Sequence, residues 1–126
     1  MAIFGIGTDI VDITRLEAAL QRHGVAFAAK LLADDELAAW REAGNPAAFL
    51  AKRFAAKEAF AKALGTGIRG AVTLRRLAVV HDALGRPGFR CDPQVEAELQ
   101  VRNIHTIHLS LSDERQHVVA FVVMET

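Results

Sequence analysis

The chain has 126 residues, which suits one domain built on a single hydrophobic core. Hydrophobic residues make up 52% of it and charged residues 24%, a composition that excludes a disordered chain. Basic and acidic residues both number 15, so no overall charge would attract nucleic acid or an anionic membrane.

Compartment and membrane association can also be predicted. The single cysteine, Cys91, allows no internal disulfide and agrees with a reducing compartment. The first residues show no basic leader or cleavage pattern, and no apolar run approaches the ~18 residues needed to cross a bilayer. We therefore expect one domain over residues 1–126, in the cytoplasm, with no partner membrane or nucleic acid.

Short apolar and alternating segments predict an α+β protein. The first of them, Ile3 to Gly7, is an apolar run with glycines and is typical of a buried strand. Thr14 is followed three residues later by Glu17, a capping-box pattern that opens a helix. Asp9 and Asp12 are thereby predicted to lie in the turn between this strand and this helix.

The later elements have clear boundary signals. The segment from Ala26 to Arg41 predicts one or two helices, broken near Asp34. A stop at Gly44-Asn45-Pro46 precedes a helix that ends at Leu64. The remaining predicted elements are strands at Leu74 to His81 and Gly88 to Arg90, a helix at Gln94 to Val101, and a C-terminal hairpin of Thr106 to Ser112 with Val118 to Met124.

The helix that ends at Leu64 is apolar over most of its circumference but carries charges. At about 100° per residue, Glu58 and Lys62 fall on one side with Phe54. A charge on such a helix is costly unless it is paired or meets a charged ligand. Two interpretations stay open: a Glu58–Lys62 ion pair worth only ~0.2 to 0.5 kcal/mol, or a site for an anionic ligand.

Asp9 and Asp12 are open to two interpretations as well. A carboxylate before a helix commonly caps its first turn, and Asp12 is the better placed of the two for that role. Asp9 could instead face a site together with Glu58, since Mg²⁺ typically takes two carboxylates from protein. Flanking lysine and arginine would make this a diphosphate site. The separation of the two residues along the chain does not decide whether they meet.

Three segments together indicate a family. They are GIGTDIVDI at the start, FLAKRFAAKEAFAKALGTGIRG in the middle and IHLSLSDERQHVVAFVVME at the end, with GRP in the middle turn. Over essentially the whole chain they resemble the holo-acyl-carrier-protein synthase family, the small bacterial phosphopantetheinyl transferases. The resemblance implies that family's fold, an antiparallel sheet packed with helices. It also implies a homotrimer with active sites at subunit interfaces.

The resemblance further implies a reaction. Family members transfer 4′-phosphopantetheine from coenzyme A to a serine of apo-acyl carrier protein, release adenosine 3′,5′-bisphosphate, and require Mg²⁺. Asp9 and Glu58 match the family's metal-binding carboxylates, and with Lys62 they form the expected catalytic set. Either Glu58 or a metal-ordered water could accept the serine proton, and the sequence does not choose between them.

Coenzyme A and the carrier have their own candidate residues under this resemblance. Lys62, Gly65 and Thr66 match a segment that lies along coenzyme A, and Gly65 is in addition a natural helix C-terminal glycine. The other candidates are Arg86 of GRP and His108 for the nucleotide, and Arg15 and Arg22 on the first helix for an acidic carrier surface.

Two rival functions follow from the same residues. A non-catalytic nucleotide- or phosphate-binding module would use the cationic helix, with Lys52, Arg53, Lys57 and Lys62, as its binding patch. A purely structural trimer would leave these four cations without an anionic partner, which makes it the weakest interpretation.

Overall fold

Helices and strands are mixed along the chain, and the computed structural model describes every residue from 1 to 126. A single 3₁₀ turn, Leu74–Arg76, lies between the fourth helix and the second strand. No helix is long and apolar enough to span a bilayer. The elements in chain order are β1 (Ile3–Asp12), α1 (Ile13–His23), α2 (Val25–Leu31), α3 (Asp34–Arg41), α4 (Pro46–Leu64), β2 (Leu77–His81), β3 (Pro87–Cys91), α5 (Pro93–Val101), β4 (Thr106–Asp113) and β5 (His117–Glu125).

The main sheet has three antiparallel strands in the order β1-β5-β4. The first and last strands of the chain are therefore neighbours, with Ile3 opposite Glu125 and Asp9 opposite Ala120. β2 and β3 form a separate antiparallel hairpin. The predicted α+β class and the predicted C-terminal hairpin of β4 and β5 are confirmed.

Helix α4 occupies the centre of the core and packs on one face of the main sheet. It starts where Asn45 Oδ1 accepts a hydrogen bond from the backbone N–H of Ala48, at 3.1 Å. It ends at Gly65, which adopts the left-handed conformation with φ of 88° and so confirms the predicted helix C-terminus. More than half of its residues are buried, most of them alanines.

Strand β1 lies directly against the backbone of α4 through two glycines. A Cβ atom on Gly7 would stand 2.0 Å from the carbonyl oxygen of Ala59, and one on Gly5 would stand 2.1 Å from that of Ala63. Any larger residue would have to push strand and helix apart. The glycines therefore set how closely these two elements approach.

The predicted start of the first helix is wrong in detail. β1 extends past Gly7 to Asp12, so Asp9 lies within the strand rather than in a turn. The N-cap of α1 is Asp12, whose Oδ1 accepts from the backbone N–H of Thr14 at 2.9 Å and from its hydroxyl at 2.7 Å. Thr14 and Glu17 thus form no capping box, because a longer strand continues straight into the helix. The hydrogen bonds from Thr14 lower the pKa of Asp12.

Of two other predicted boundaries, one agrees with the structure and one is shifted. The segment after residue 25 is two helices, as the break predicted near Asp34 required. The strand predicted from Leu74 begins only at Leu77, because Leu74–Arg76 forms the 3₁₀ turn instead.

The cations of α4 are paired within the chain. Lys57 is fully buried and its Nζ lies 2.5 Å from Glu36 Oε1, while Arg53 approaches Glu36 Oε2 at 3.4 Å. Lys52 lies 3.6 Å from an Asp113 carboxylate oxygen. Lys62 pairs with Asp9 of β1. The argument that a purely structural trimer would leave these four cations without anionic partners is therefore wrong, because their partners come from distant elements of the same chain.

Replacement of Gly7 by alanine tests the close contact of β1 with α4. We expect Gly7→Ala to lower the free energy of unfolding by about 3 kcal/mol or more, because the added Cβ would meet backbone that cannot turn away. Chemical denaturation monitored by circular dichroism measures this change.

Gly44→Ala is the matched control, since a Cβ at exposed Gly44 meets nothing within 4 Å. It should leave stability within about 0.5 kcal/mol of the parent. Equal stability of the two variants would contradict the role given to Gly7.

Candidate active site

A cleft of ≈ 790 Å³ lies between β1, α1, α2 and α4. Asp9 from β1 and Glu58 and Lys62 from α4 line it together, although they are far apart in the sequence. Phe54 lines it as well, which confirms the predicted helix face of Phe54, Glu58 and Lys62. Asp9 reaches the cleft because it shares the α4-facing side of β1 with Gly7.

Lys62 bridges the helix and the strand inside this cleft. Its Nζ donates to Asp9 Oδ1 at 3.1 Å and to the backbone carbonyl of Thr8 at 3.0 Å. Of the two interpretations left open for Lys62, the ion pair with Glu58 on the same helix is thus replaced by a pair across to β1. About half of the Lys62 side chain stays exposed, so its charge remains available to a ligand.

Glu58 has a perturbed acidity. Partial burial raises the pKa of its carboxyl, the negative charge of Asp9 raises it further, and Lys62 opposes both. The two carboxylates therefore repel each other across the cleft. A group that neutralised both would relieve this cost.

The donor set is compatible with a hard divalent cation. No group of three or more histidine, cysteine, aspartate or glutamate side chains is arranged to hold a metal in this chain. Asp9 and Glu58 supply two carboxylates to one cleft, which matches the few protein ligands that Mg²⁺ takes while it keeps water and substrate oxygens. The pair fits Mg²⁺ better than a metal that needs a complete protein cage.

Cations surround the acidic pair at the rim of the cleft. Arg15 and Arg22 of α1 line it, and so does Lys30 of α2. The two predicted partner-binding residues are thus on the same cleft as Asp9 and Glu58. An acidic macromolecule seated on α1 would lie directly over the acidic pair.

Four predicted site residues lie elsewhere in the single chain, since none of them lines the cleft. Gly65 and Thr66 follow the C-terminal end of α4, where the Thr66 hydroxyl donates to the carbonyl of Gly67 at 2.8 Å. Arg86 is exposed in the turn between β2 and β3. His108 is exposed on β4, with Nε2 2.5 Å from Glu125 Oε1.

Residues behind the cleft were not predicted as part of the transferase site. Lys57 follows a buried stretch of α4, and its Nζ contacts the carbonyl oxygens of Leu31 and Leu74, two residues that line the cleft. The available signal was a lysine on an apolar helix, which requires a buried acceptor. The sequence pattern does not identify Glu36 as that acceptor.

Comparisons with known proteins point to one family. Residues 5–122 match the family model of the 4′-phosphopantetheinyl transferase superfamily. The chain is 55% identical over 124 residues to a holo-[acyl-carrier-protein] synthase of Azoarcus sp. strain BH72, covering 98% of both chains. It is 52% identical over 123 residues to the one of Laribacter hongkongensis, again covering 98% of both.

Solved structures agree with the sequence comparisons. The crystal structure of holo-[acyl-carrier-protein] synthase from Neisseria meningitidis has a TM-score of 0.95 and 51% identity, covering 98% of this chain and 99% of that one. The enzyme from Bacillus anthracis, solved in complex with CoA (3′,5′-ADP), has a TM-score of 0.82 and 33% identity, covering 100% and 99%. The predicted fold class and the predicted family are thereby confirmed.

The raised pKa of Glu58 predicts a stability effect of known sign. A carboxyl whose pKa is higher folded than unfolded stabilises the fold while protonated, and this contribution is lost as the pH rises through the folded pKa. Glu58→Gln cannot ionise. In metal-free buffer its thermal midpoint should therefore gain on the parent's as the pH is raised from about 4 to about 7.

Glu17→Gln is the control, because Glu17 is exposed on α1. Its midpoint should follow the parent's at every pH. A Glu58→Gln midpoint that falls behind the parent's as the pH rises would mean that the Glu58 carboxylate stabilises the metal-free fold.

Proposed function

The chain belongs to the 4′-phosphopantetheinyl transferase superfamily, and we propose that it transfers 4′-phosphopantetheine from coenzyme A to a serine of an apo-acyl carrier protein. Adenosine 3′,5′-bisphosphate is the second product. The observation that carries the proposal is the acidic pair Asp9 and Glu58, held with Lys62 in one cleft with a cationic rim. Relatives named holo-[acyl-carrier-protein] synthase over nearly the full length support it.

Asp9 and Glu58 would hold Mg²⁺, which when bound supplies positive charge to the pyrophosphate oxygens of coenzyme A. Lys62 stands beside Asp9 with half of its side chain exposed, so its ammonium can contact a phosphate oxygen on which negative charge develops. Either Glu58 or a water ordered at the metal would accept the proton that the attacking serine hydroxyl loses.

The carrier would dock over α1. The acyl carrier proteins on which the resembled family acts are acidic. Arg15 and Arg22 line the rim of the cleft. Their charges would orient an acidic helix so that its serine points at the acidic pair. Glu17, exposed on the same helix, moderates this attraction.

We also propose that three copies assemble through the outer face of the main sheet. This face carries exposed apolar side chains on adjacent strands, among them Ile6 and Ile10 of β1 and Val119 and Phe121 of β5. Such a contiguous apolar face is typical of an interaction surface. His108 lies on the same face, and with Gly65, Thr66 and Arg86 it would contact coenzyme A at an interface between copies.

The rival phosphate-binding module is less well supported. Its patch depended on the four cations of α4, but Lys57 is fully buried and Arg53 is mostly buried beside Glu36. Of the four cations, only Lys52 and Lys62 keep a large exposed fraction, and each already has a carboxylate partner. We further propose that the protein is located in the cytoplasm, because its single cysteine allows no internal disulfide.

Intact-protein mass spectrometry of an apo-acyl carrier protein tests the reaction and the metal together. With this protein, coenzyme A and Mg²⁺, the carrier mass should rise by one phosphopantetheine, and EDTA should prevent the rise. Asp9→Asn and Glu58→Gln should each lower the rate at least about 100-fold while the proteins stay folded. Glu42→Gln, at an exposed position outside the cleft, should react at nearly the parent rate.

Two outcomes would count against this assignment. No mass shift with several carriers and a folded protein would remove the proposed function. A shift that persists undiminished in both carboxylate variants would leave the reaction standing but remove Asp9 and Glu58 as its metal ligands.

Light scattering coupled to size-exclusion chromatography tests the assembly. The parent should elute at about three times the 13.7 kDa of one chain. Phe121→Glu should shift the mass toward a single chain, because it places a charge within the apolar face. Val101→Glu, at an exposed apolar position on α5, should not change the mass. A monomeric parent, or an unchanged mass for Phe121→Glu, would contradict the proposed interface.

A further inference from the structure

Lys57 carries an ammonium group with every donor used. The side chain is fully buried, and Nζ donates to Glu36 Oε1 at 2.5 Å, to the Leu31 carbonyl at 2.8 Å and to the Leu74 carbonyl at 2.9 Å. Three acceptors match the three N–H groups of a lysine ammonium. Only one of these bonds belongs to the ion pair, and the other two hold backbone.

The Glu36 carboxylate has four hydrogen-bond donors of its own. It accepts from the backbone N–H groups of Ala33 and Val79, both at 2.9 Å, and from Arg53 as well as Lys57. No buried side-chain polar atom in the chain lacks a partner. The ion pair is thus complete, and the bonds to Leu31 and Leu74 are a separate feature.

The two carbonyls belong to the wall of the cleft. Leu31 ends α2 and Leu74 begins the 3₁₀ turn, and both residues line the cleft that contains Glu58. Lys57 immediately precedes Glu58 on α4. One buried side chain therefore joins two segments of the wall to the helix that carries Glu58 and Lys62.

We propose that Lys57 is a positioning residue for the transferase reaction, which fixes the Leu31 and Leu74 wall relative to Glu58 through these two hydrogen bonds. The inference rests on the proposed function. A shift of about 1 Å in a wall that positions the reacting groups can lower a rate about 100-fold. Lys57 itself need not touch substrate.

A purely stabilising ion pair would behave differently. Removal of one partner of a buried pair is strongly destabilising, whereas replacement of both by apolar or neutral groups is often tolerated. Activity per folded molecule would then be unchanged in every folded variant. The two roles can be separated because Glu36→Gln breaks the ion pair but leaves Lys57 its N–H groups for both carbonyls.

The test compares Glu36→Gln, Lys57→Met and the double variant, with kcat, the KM for each substrate and the thermal midpoint measured on each. All assays run well below the lowest midpoint. We expect kcat to fall at least tenfold in both proteins that carry Lys57→Met, and less than threefold in Glu36→Gln. Arg53 keeps its Glu36 partner in Lys57→Met and loses it in the double variant, so we expect no rescue of the midpoint there and no recovery of kcat. The KM for the carrier should change less than threefold throughout, because Arg15 and Arg22 are untouched.

Val95→Ala is the control for stability alone, since Val95 is fully buried on α5 and does not line the cleft. Its midpoint should fall while kcat stays within twofold of the parent. A parent-like kcat in folded Lys57→Met, or a kcat that recovers with the midpoint in the double variant, would overturn the proposal.

Arg75→Met keeps the test decisive if the lysine variants do not fold. Arg75 lies on the 3₁₀ turn, where its Nε donates to the Leu32 carbonyl at 3.2 Å and ties the same two segments from the exposed side. We expect kcat to fall twofold or more with little change in midpoint. An unchanged kcat would mean that the position of this wall does not matter. The parent enzyme is assayed first, so that failure of the proposed function itself is recognised separately.

Discussion

The contact between the backbones of β1 and α4 is the constraint on which the cleft depends. Gly5 and Gly7 leave no room for a Cβ against the carbonyl oxygens of Ala63 and Ala59. Asp9 follows Gly7 by two positions and faces the same side of the strand, so its approach to Glu58 and Lys62 follows from that contact. The two glycines of the first strand are thus part of what brings the acidic pair together.

Elements with a local signal could be predicted from the sequence, and those with a distant cause could not. Proline and glycine at the ends of α4, the alternation of β4 and β5, and the side of α4 shared by Glu58 and Lys62 follow from local rules. The meeting of Asp9 with Glu58 does not, since it requires the pairing of β1 with β5 and the close approach to α4. The family resemblance supplied that juxtaposition where residue spacing left it open.

Charge along one helix was a poor guide to charge available for binding. The cations of α4 appear in excess in the sequence, yet Glu36, Asp113 and Asp9 pair with them from other elements. These pairs also differ in weight. An exposed pair such as Lys52 with Asp113 is worth ~0 to 1 kcal/mol, whereas loss of one partner from a buried pair such as Lys57 with Glu36 costs about 3 to 5 kcal/mol.

The order of the strands has a consequence for how the protein is made. Of the five strands, β1 is translated first and its neighbour β5 last, with Ile3 opposite Glu125. Closing so long a loop is entropically costly and slow compared with local contacts. The main sheet can therefore be completed only after β5 is translated, and a nascent chain that stops before His117 would lack the strand that joins β1 to β4.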